Sequence, residues 1–276
     1  MRDASMLVAV VLAGGGQRDR LARAVGVESK AHVPLGGVPL GEYVLAALRA
    51  ADCVGRTVFV GDPGGSFAGL FDVRVPAGER LVDSLALGAG AALAQPGPPE
   101  WLLVVTADVP WLTGPVVDRF VVAAEDLVGH DGKPARLVYP VVAEADAREQ
   151  FPHQDRTYAA LADGRFTGGN LVLVRADTVP ALLPLMEQAY SNRKNPFALA
   201  RLVGLGTLVR LLLGRASLPR LERRVSHLLG APARALVSHD ASLAADVDRL
   251  EHLPGTIAAD LPSLAAPADL AIGRDP

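Results

Sequence analysis

Short, nearly continuous apolar runs recur along the chain at Leu7–Leu12, Thr57–Val60, Leu102–Thr106, Leu137–Val142 and Leu171–Val174, with stretches of helical spacing between them. A run that is apolar on both faces must be covered on both, which is what a central sheet with helices on each side requires. Between the first two runs, Leu40, Val44 and Leu48 share one helical face. Between the second and third, Asp83 to Ala94 is rich in Leu and Ala, with polar residues at its start. The alternation predicts an open α/β sheet, whose ligands gather at the carboxyl ends of the strands. With 276 residues, half of them hydrophobic, the chain can form one sizeable domain carrying an insertion.

After Arg175 the pattern becomes helical up to about Ala235. Ser217 and Pro219 predict a helix start, Gly230 a stop, and Leu218, Leu221, Val225, Leu228 and Leu229 one apolar stripe. Arg220, Arg223, Arg224 and His227 fill the opposite face. A solvated surface is the favoured meaning; contact with an anionic substrate or a membrane surface is the minority one. Phe197–Gly214 is apolar but carries Arg201 and Arg210, each costing at least ~2.5 kcal/mol at the centre of a span, so no transmembrane segment is expected. Gly204 and Gly206 are expected to split that stretch. From Pro254 the chain reads as a loosely packed terminal arm.

A net charge of −3 gives no global reason to expect nucleic acid as partner, so any anion site must be local. The lone Cys53 excludes an internal disulfide and a thiolate cluster, and suits a reducing cytoplasm, the expected location. The segment Val10 to Lys30 supplies a local anion site: an apolar strand runs into Gly14, Gly15 and Gly16, with Arg18 and Lys30 following. Glycines bare their main-chain N–H groups and tolerate positive φ, so a polyanion can come close. The spacing fits neither G-x-x-x-x-G-K-[ST] nor G-x-G-x-x-G, and a tight strand-to-helix turn explains glycines alone equally well.

Two acidic motifs strengthen the ligand reading. Asp108 follows a buried strand and precedes Val109-Pro110, at the same sheet edge as the glycines. Asp246 and Asp248 bracket Val247 near the end of the pattern. Helix caps would account for each motif separately. Magnesium, an oxygen-seeking cation held by one or two carboxylates beside substrate phosphates, would account for both together. The six histidines show no metal spacing, and no G-x-S-x-G elbow is present.

These motifs resemble the nucleotidyltransferases related to molybdenum-cofactor guanylyltransferase, which share a type A glycosyltransferase-like fold with sugar-phosphate and methylerythritol-phosphate cytidylyltransferases. Leu12-Ala13-Gly14-Gly15-Gly16 through Lys30, then Val33-Pro34-Leu35-Gly36-Gly37-Val38-Pro39-Leu40, is similar to the family's L-A-G-G…K-x-x-x-x-l-x-G-x-P-L signature. The resemblance covers about residues 6–190 and 236–253. It implies a three-layer, open, mixed and mostly parallel sheet of the nucleotide-diphospho-sugar transferase type within residues 1–253, with a helical insertion at about 191–235 and an arm at 254–276. It implies nucleotide binding by Leu12, Ala13, Gly14, Gly15, Gly16, Gly78, Asp83 and Ser84, and substrate binding by Gly169 and Asn170. Catalytic roles would fall to Lys30, Arg18 and Asp108, and Mg²⁺ to Asp108 with Asp246 or Asp248.

The family's arginine–methionine pair is replaced by Gln17-Arg18-Asp19-Arg20-Leu21, which leaves open which arginine meets phosphate. The implied reaction is attack by an acceptor phosphate on the α-phosphorus of an NTP, releasing pyrophosphate. A sugar phosphate, an alcohol phosphate and molybdopterin are all candidate acceptors. A nucleotide-sugar-dependent glycosyltransferase and a non-catalytic nucleotide-binding module are the competing readings. Base, acceptor and oligomeric state are not fixed by the sequence.

Overall fold

The computed structural model describes residues 7–15, 19–64, 67, 69–192 and 204–249, without the side chains of 190, 192 and 205. Arg18 and Gly16, the stretch 193–203, and everything from 250 onward, including the expected arm, lie outside the described residues.

All six residues of β1 (Leu7–Leu12) are buried, as the doubly apolar run demands. β1 lies parallel between β4 (Val54–Val60) and β6 (Trp101–Thr106), with β5 (Val73–Val75) beyond β4. A two-stranded ribbon, β2 (Pro34–Leu35) and β3 (Val38–Pro39), stands apart from this sheet. On the other side of β6, β10 (Leu171–Arg175) runs antiparallel, followed by β7 (Leu137–Ala143). The remaining strands are β9 (Gly164–Gly168), antiparallel to β7, β8 (Ala159–Leu161) outside it, and β11 (Ala233–Ser238), parallel to β7. The mixed, mostly parallel sheet implied by the resemblance is present.

Alternation along β1 sends side chains to two cores. Leu7, Ala9 and Val11 join Leu103 and Val105 against α2 (Leu40–Arg49) and α4 (Gly114–Glu125), while Val8, Val10 and Leu12 face α3 (Leu81–Leu93) and α6 (Val179–Asn192). Gly88 lets α3 lie flush on the sheet, because a Cβ there would sit 2.5 Å from Val10 Cγ1 and 2.6 Å from Val60 Cγ2. Two short helices, α1 (Arg20–Val25) and α5 (Glu144–Gln150), flank the site described below.

The expected helical insertion needs a new boundary. α7 (Leu205–Leu212) starts after Gly204, whose φ is +87°, while Gly206, also expected to split the apolar stretch, lies within the helix. α8 (Leu218–Leu229) begins after Ser217 and ends on Gly230, also as predicted, and Leu229 joins the sheet core. Ala233–Ala235, however, belong to β11, which pairs with β7 residue for residue from Leu137 to Val142. Arg234 disguised that strand: its guanidinium is neutralised by the buried Glu222 of α8, at 3.0 Å. Among the described residues, no helix is long and apolar enough to cross a membrane.

Candidate active site

β9 and β10 lie on the same edge of β7, separated only by Gly169 and Asn170. Upstream of this break the neighbouring strand is β8; downstream it is β6. The sheet therefore forks where β6 ends, and the fork holds the chain's terminal segment. Asn170 donates its main-chain N–H to the Leu243 carbonyl at 2.8 Å, and its own carbonyl accepts from Thr106 at 3.1 Å. Gly169 must be glycine here, since a Cβ would lie 2.8 Å from Pro140 Cγ and 3.1 Å from the Leu243 carbonyl oxygen. A 3-10 turn at Ala241–Leu243 then leads into Ala245 and Val247, both buried, and Val247 donates to the Asp108 carbonyl at 2.9 Å.

This stitching gathers the acids that the sequence holds far apart. Oxygens of Asp108, Asp246 and Asp248 all lie within 4.8 Å of one another. Asp108 and Asp246 are mostly covered, while Asp248 stands at the mouth, 57% exposed. Among the described residues, neither Asp108 nor Asp246 caps a helix. Lys30 points into the cluster, 3.1 Å from Asp108 Oδ2 and in contact with Asp248, with Asp19 at 3.9 Å. Burial disfavours its charge, but Asp108 and Asp248 outweigh that and raise the ammonium's pKa well above its ordinary value. The Asp246 carboxyl is raised too, toward its neutral form: burial first, then the neighbouring Asp108 and Asp248, push it up to about 6, with Arg156 opposing.

The glycine loop opens beside this cluster. A cavity of about 190 Å³ is lined by Leu12 to Gly15, Lys30, Leu81 and Thr106 to Asp108. A second, of about 470 Å³, shares Ala13 to Gly15 and extends along His32, Asp62, Arg74 and Gly78. Gly15 has a φ of +153°, which a side chain would not adopt readily, and a Cβ on Gly14 would press within 2.8 Å of Ala77 Cβ. Gly78 lines the larger cavity. Asp83 and Ser84 shape its wall from behind: Ser84 Oγ accepts from the Gly78 N–H at 3.0 Å, while the Asp83 carboxylate caps α3 and pairs with Arg80 at 2.8 Å.

Arg156 is a member the sequence reading missed. Only 12% exposed, it pairs with Asp246 at 2.9 Å and lies 3.5 Å from Thr167 Oγ1. It sits in an irregular stretch without a motif, so no local signal marks it. Among the described residues, the buried Thr106 Oγ1, Asp108 Oδ1 and Asn170 Nδ2 have no hydrogen-bond partner. Native buried polar groups are nearly always satisfied by protein, water or a ligand.

Comparison with known proteins shows the family and the fold. The family model described as MobA-like NTP transferase domain matches residues 9–200. Among solved structures, a hypothetical transferase from Thermus thermophilus is 39% identical, with a TM-score of 0.77 over 90% of this chain and 99% of its own. The 4-diphosphocytidyl-2C-methyl-D-erythritol synthase from Anaerococcus prevotii DSM 20548 is 10% identical, with a TM-score of 0.51 over 91% of this chain and 95% of its own, a likeness of fold. Comparison with the curated proteins finds no match.

Proposed function

Because the chain belongs to the MobA-like NTP transferase domain family and is thereby a nucleotidyltransferase, we propose that it transfers an NMP from an NTP to a phosphorylated acceptor, releasing pyrophosphate, with Mg²⁺ held by Asp108, Asp246 and Asp248. The observation that carries this reading is the meeting of those three carboxylates within 4.8 Å beside Lys30 and the glycine-loop cavities. The donor set suits a hard cation: it is all oxygen, and Asp108 Oδ1 is buried without a partner. The carboxyl of Asp246 is held up to about 6 by burial and by its acidic neighbours despite Arg156 beside it, which is what three crowded carboxylates produce. A bound Mg²⁺ would supply the neutralisation that lets two phosphate-bearing substrates approach.

The chain's own groups do the rest. Gly14 and Gly15 offer main-chain N–H groups to the triphosphate, where no side chain stands in the way. The cavity of about 470 Å³ is of the size that receives a nucleoside. Lys30 remains protonated throughout the neutral range and can meet charge growing on the α-phosphoryl group. Arg156, which pairs with Asp246, is the cation that would meet the acceptor phosphate in this reading. Such a phosphate is already ionised near neutrality, so no general base is assigned. Holding both anions in line can supply up to ~7–11 kcal/mol of the barrier.

Pyrophosphate release from an NTP panel with phosphorylated acceptors tests the reading. Asp108→Ala should abolish release, and Lys30→Ala should lower turnover about 10²-fold, as loss of one transition-state donor does elsewhere. Equal rates in Asp108→Ala and parent would overturn the metal assignment, and an unchanged Lys30→Ala would remove the lysine.

A further inference from the structure

None of the described side chains of α7 is buried, although the helix is built almost wholly of apolar residues. The turn after it is what meets the sheet: the Ala162 N–H, just beyond the outermost strand β8, donates to the Ala216 carbonyl at 2.7 Å. At helical spacing Val209, Leu212 and Leu213 share one arc, and they stand 44%, 77% and 61% exposed. A helix of 8 residues is too short to persist on propensity alone and is normally held by packing of its apolar face. An uncovered aliphatic arc at the end of such a helix calls for a surface that covers it.

Charge selects that surface. Residues 193–230 carry eight arginines and lysines against a single acid, Glu222, in a chain whose net charge is −3. Glu222 is buried and committed to Arg234 at 3.0 Å and His130 at 2.8 Å, so it offsets none of the outward charge. Arg210 and Arg215 flank Leu212 and Leu213 in the chain, and both are exposed, as are Arg220 and Arg223 of α8. An acidic molecule thus concentrates basic charge in the segment that holds Leu212, the most exposed large apolar side chain among the described residues. Nucleic acid would account for the arginines but not for the leucines: single-strand sites stack bases on aromatic rings, and residues 204–230 contain no Phe, Tyr or Trp. A stable protein interface covers about 800 Å² on each partner, more than one helix end offers. Aliphatic tips beside arginines suit a lipid headgroup layer, with the tips at the acyl boundary and the guanidinium groups on phosphates.

We propose that α7 and the arginines around it dock the protein on an anionic lipid surface. Leu212 and Leu213 enter the boundary between headgroups and acyl chains, while Arg210, Arg215 and Arg220 meet lipid phosphates. The contact is peripheral, since 8 residues cannot cross a bilayer. It stands on this segment alone and does not depend on the reaction assigned to the fork. Each arginine near such a surface is worth about fivefold in affinity, and added salt should weaken that share.

Co-sedimentation of the full chain with vesicles provides the test. Phosphatidylcholine vesicles containing phosphatidylglycerol should carry the protein down, and vesicles of phosphatidylcholine alone should not. Leu212→Asp with Leu213→Asp, and separately Arg215→Ala with Arg220→Ala, should each weaken binding about tenfold or more while melting as the parent does. In a third variant, Leu213→Trp, indole emission should shift to the blue with the anionic vesicles. A parent that stays in solution with both kinds of vesicle overturns the proposal. Sedimentation that the paired leucine substitutions leave unchanged also overturns it, reducing the effect to general attraction of a basic segment. Binding of a single-stranded oligonucleotide but not of vesicles would assign the arginines to nucleic acid, and a dimer dispersed by Leu212→Asp, without vesicle binding, would assign the arc to a second copy of the chain; either result overturns lipid docking. Should the paired variants fail to fold, the parent's choice between the two vesicles and the Leu213→Trp emission decide the matter.

Discussion

Asp246 is the residue where burial and charge conflict most, and it makes the site's electrostatics measurable. Its carboxyl, raised to about 6 by burial and by Asp108 and Asp248, titrates near the ordinary aspartate value of ~3.9 once the chain unfolds. Between those values the native state holds more protons than the unfolded one, so stability without metal is highest at the acid end and falls as pH rises through 6. The loss amounts to up to about 3 kcal/mol, at ~1.4 kcal/mol for each pH unit of displacement. Urea unfolding with chelator present, between about pH 5 and about pH 7.5, should show about 1.4 kcal/mol of this fall in the parent and none of it in Asp246→Asn. Parallel profiles would mean that the acids do not strain one another. Residue identity was the part of the site most open to sequence: Lys30, Asp108 and Asp246 each carry a motif. Arg156 carries none, because its role comes from a contact across the sheet. Asp83 carries one, yet its carboxylate is committed to capping α3.

At the scale of elements, close approach between α3 and the sheet is governed by Gly88. Helix propensity alone says that Gly88→Ala should stabilise by ~1 kcal/mol. The added methyl group would sit 2.5–2.6 Å from Val10 and Val60, inside a closely packed core, where overpacking costs about 1–3 kcal/mol. Packing should win, leaving Gly88→Ala less stable by about 1 kcal/mol in chemical denaturation; a stabilised variant would show that α3 can lift freely. Most elements were legible for the same reason that this one packs tightly. The runs at β1, β6, β7 and β10 are apolar on both faces, and α3 and α8 show both period and ends. β11 escaped because Arg234 interrupts its alternation, and β8 and β9 because they are short and largely exposed at the sheet's edge.

For the whole molecule, three segments at least 78 residues apart converge on one cluster: Lys30, Asp108 and the stretch Asp246–Asp248. A cation bound there ties the last described segment to the exit of β6, so it should stabilise the native chain globally. At a free Mg²⁺ concentration 100 times its dissociation constant, the gain should be about 2.7 kcal/mol, and Asp108→Ala should not show it. Equal melting curves with Mg²⁺ and with chelator in the parent would contradict a metal centre. That convergence could be anticipated from strand ends sharing one edge, but the fork that produces it could not, because nothing in Gly168-Gly169-Asn170 announces a strand changing neighbours. The break at Gly169–Asn170 has a further consequence. One half of the strand is locked into the core beside β6, and the other half, with β8, forms the sheet's outer edge. Substitutions in β8 and on the outer half should therefore leave the strands that carry Asp108 and the glycine loop in register, so that edge is free to vary without disturbing the centre of the sheet.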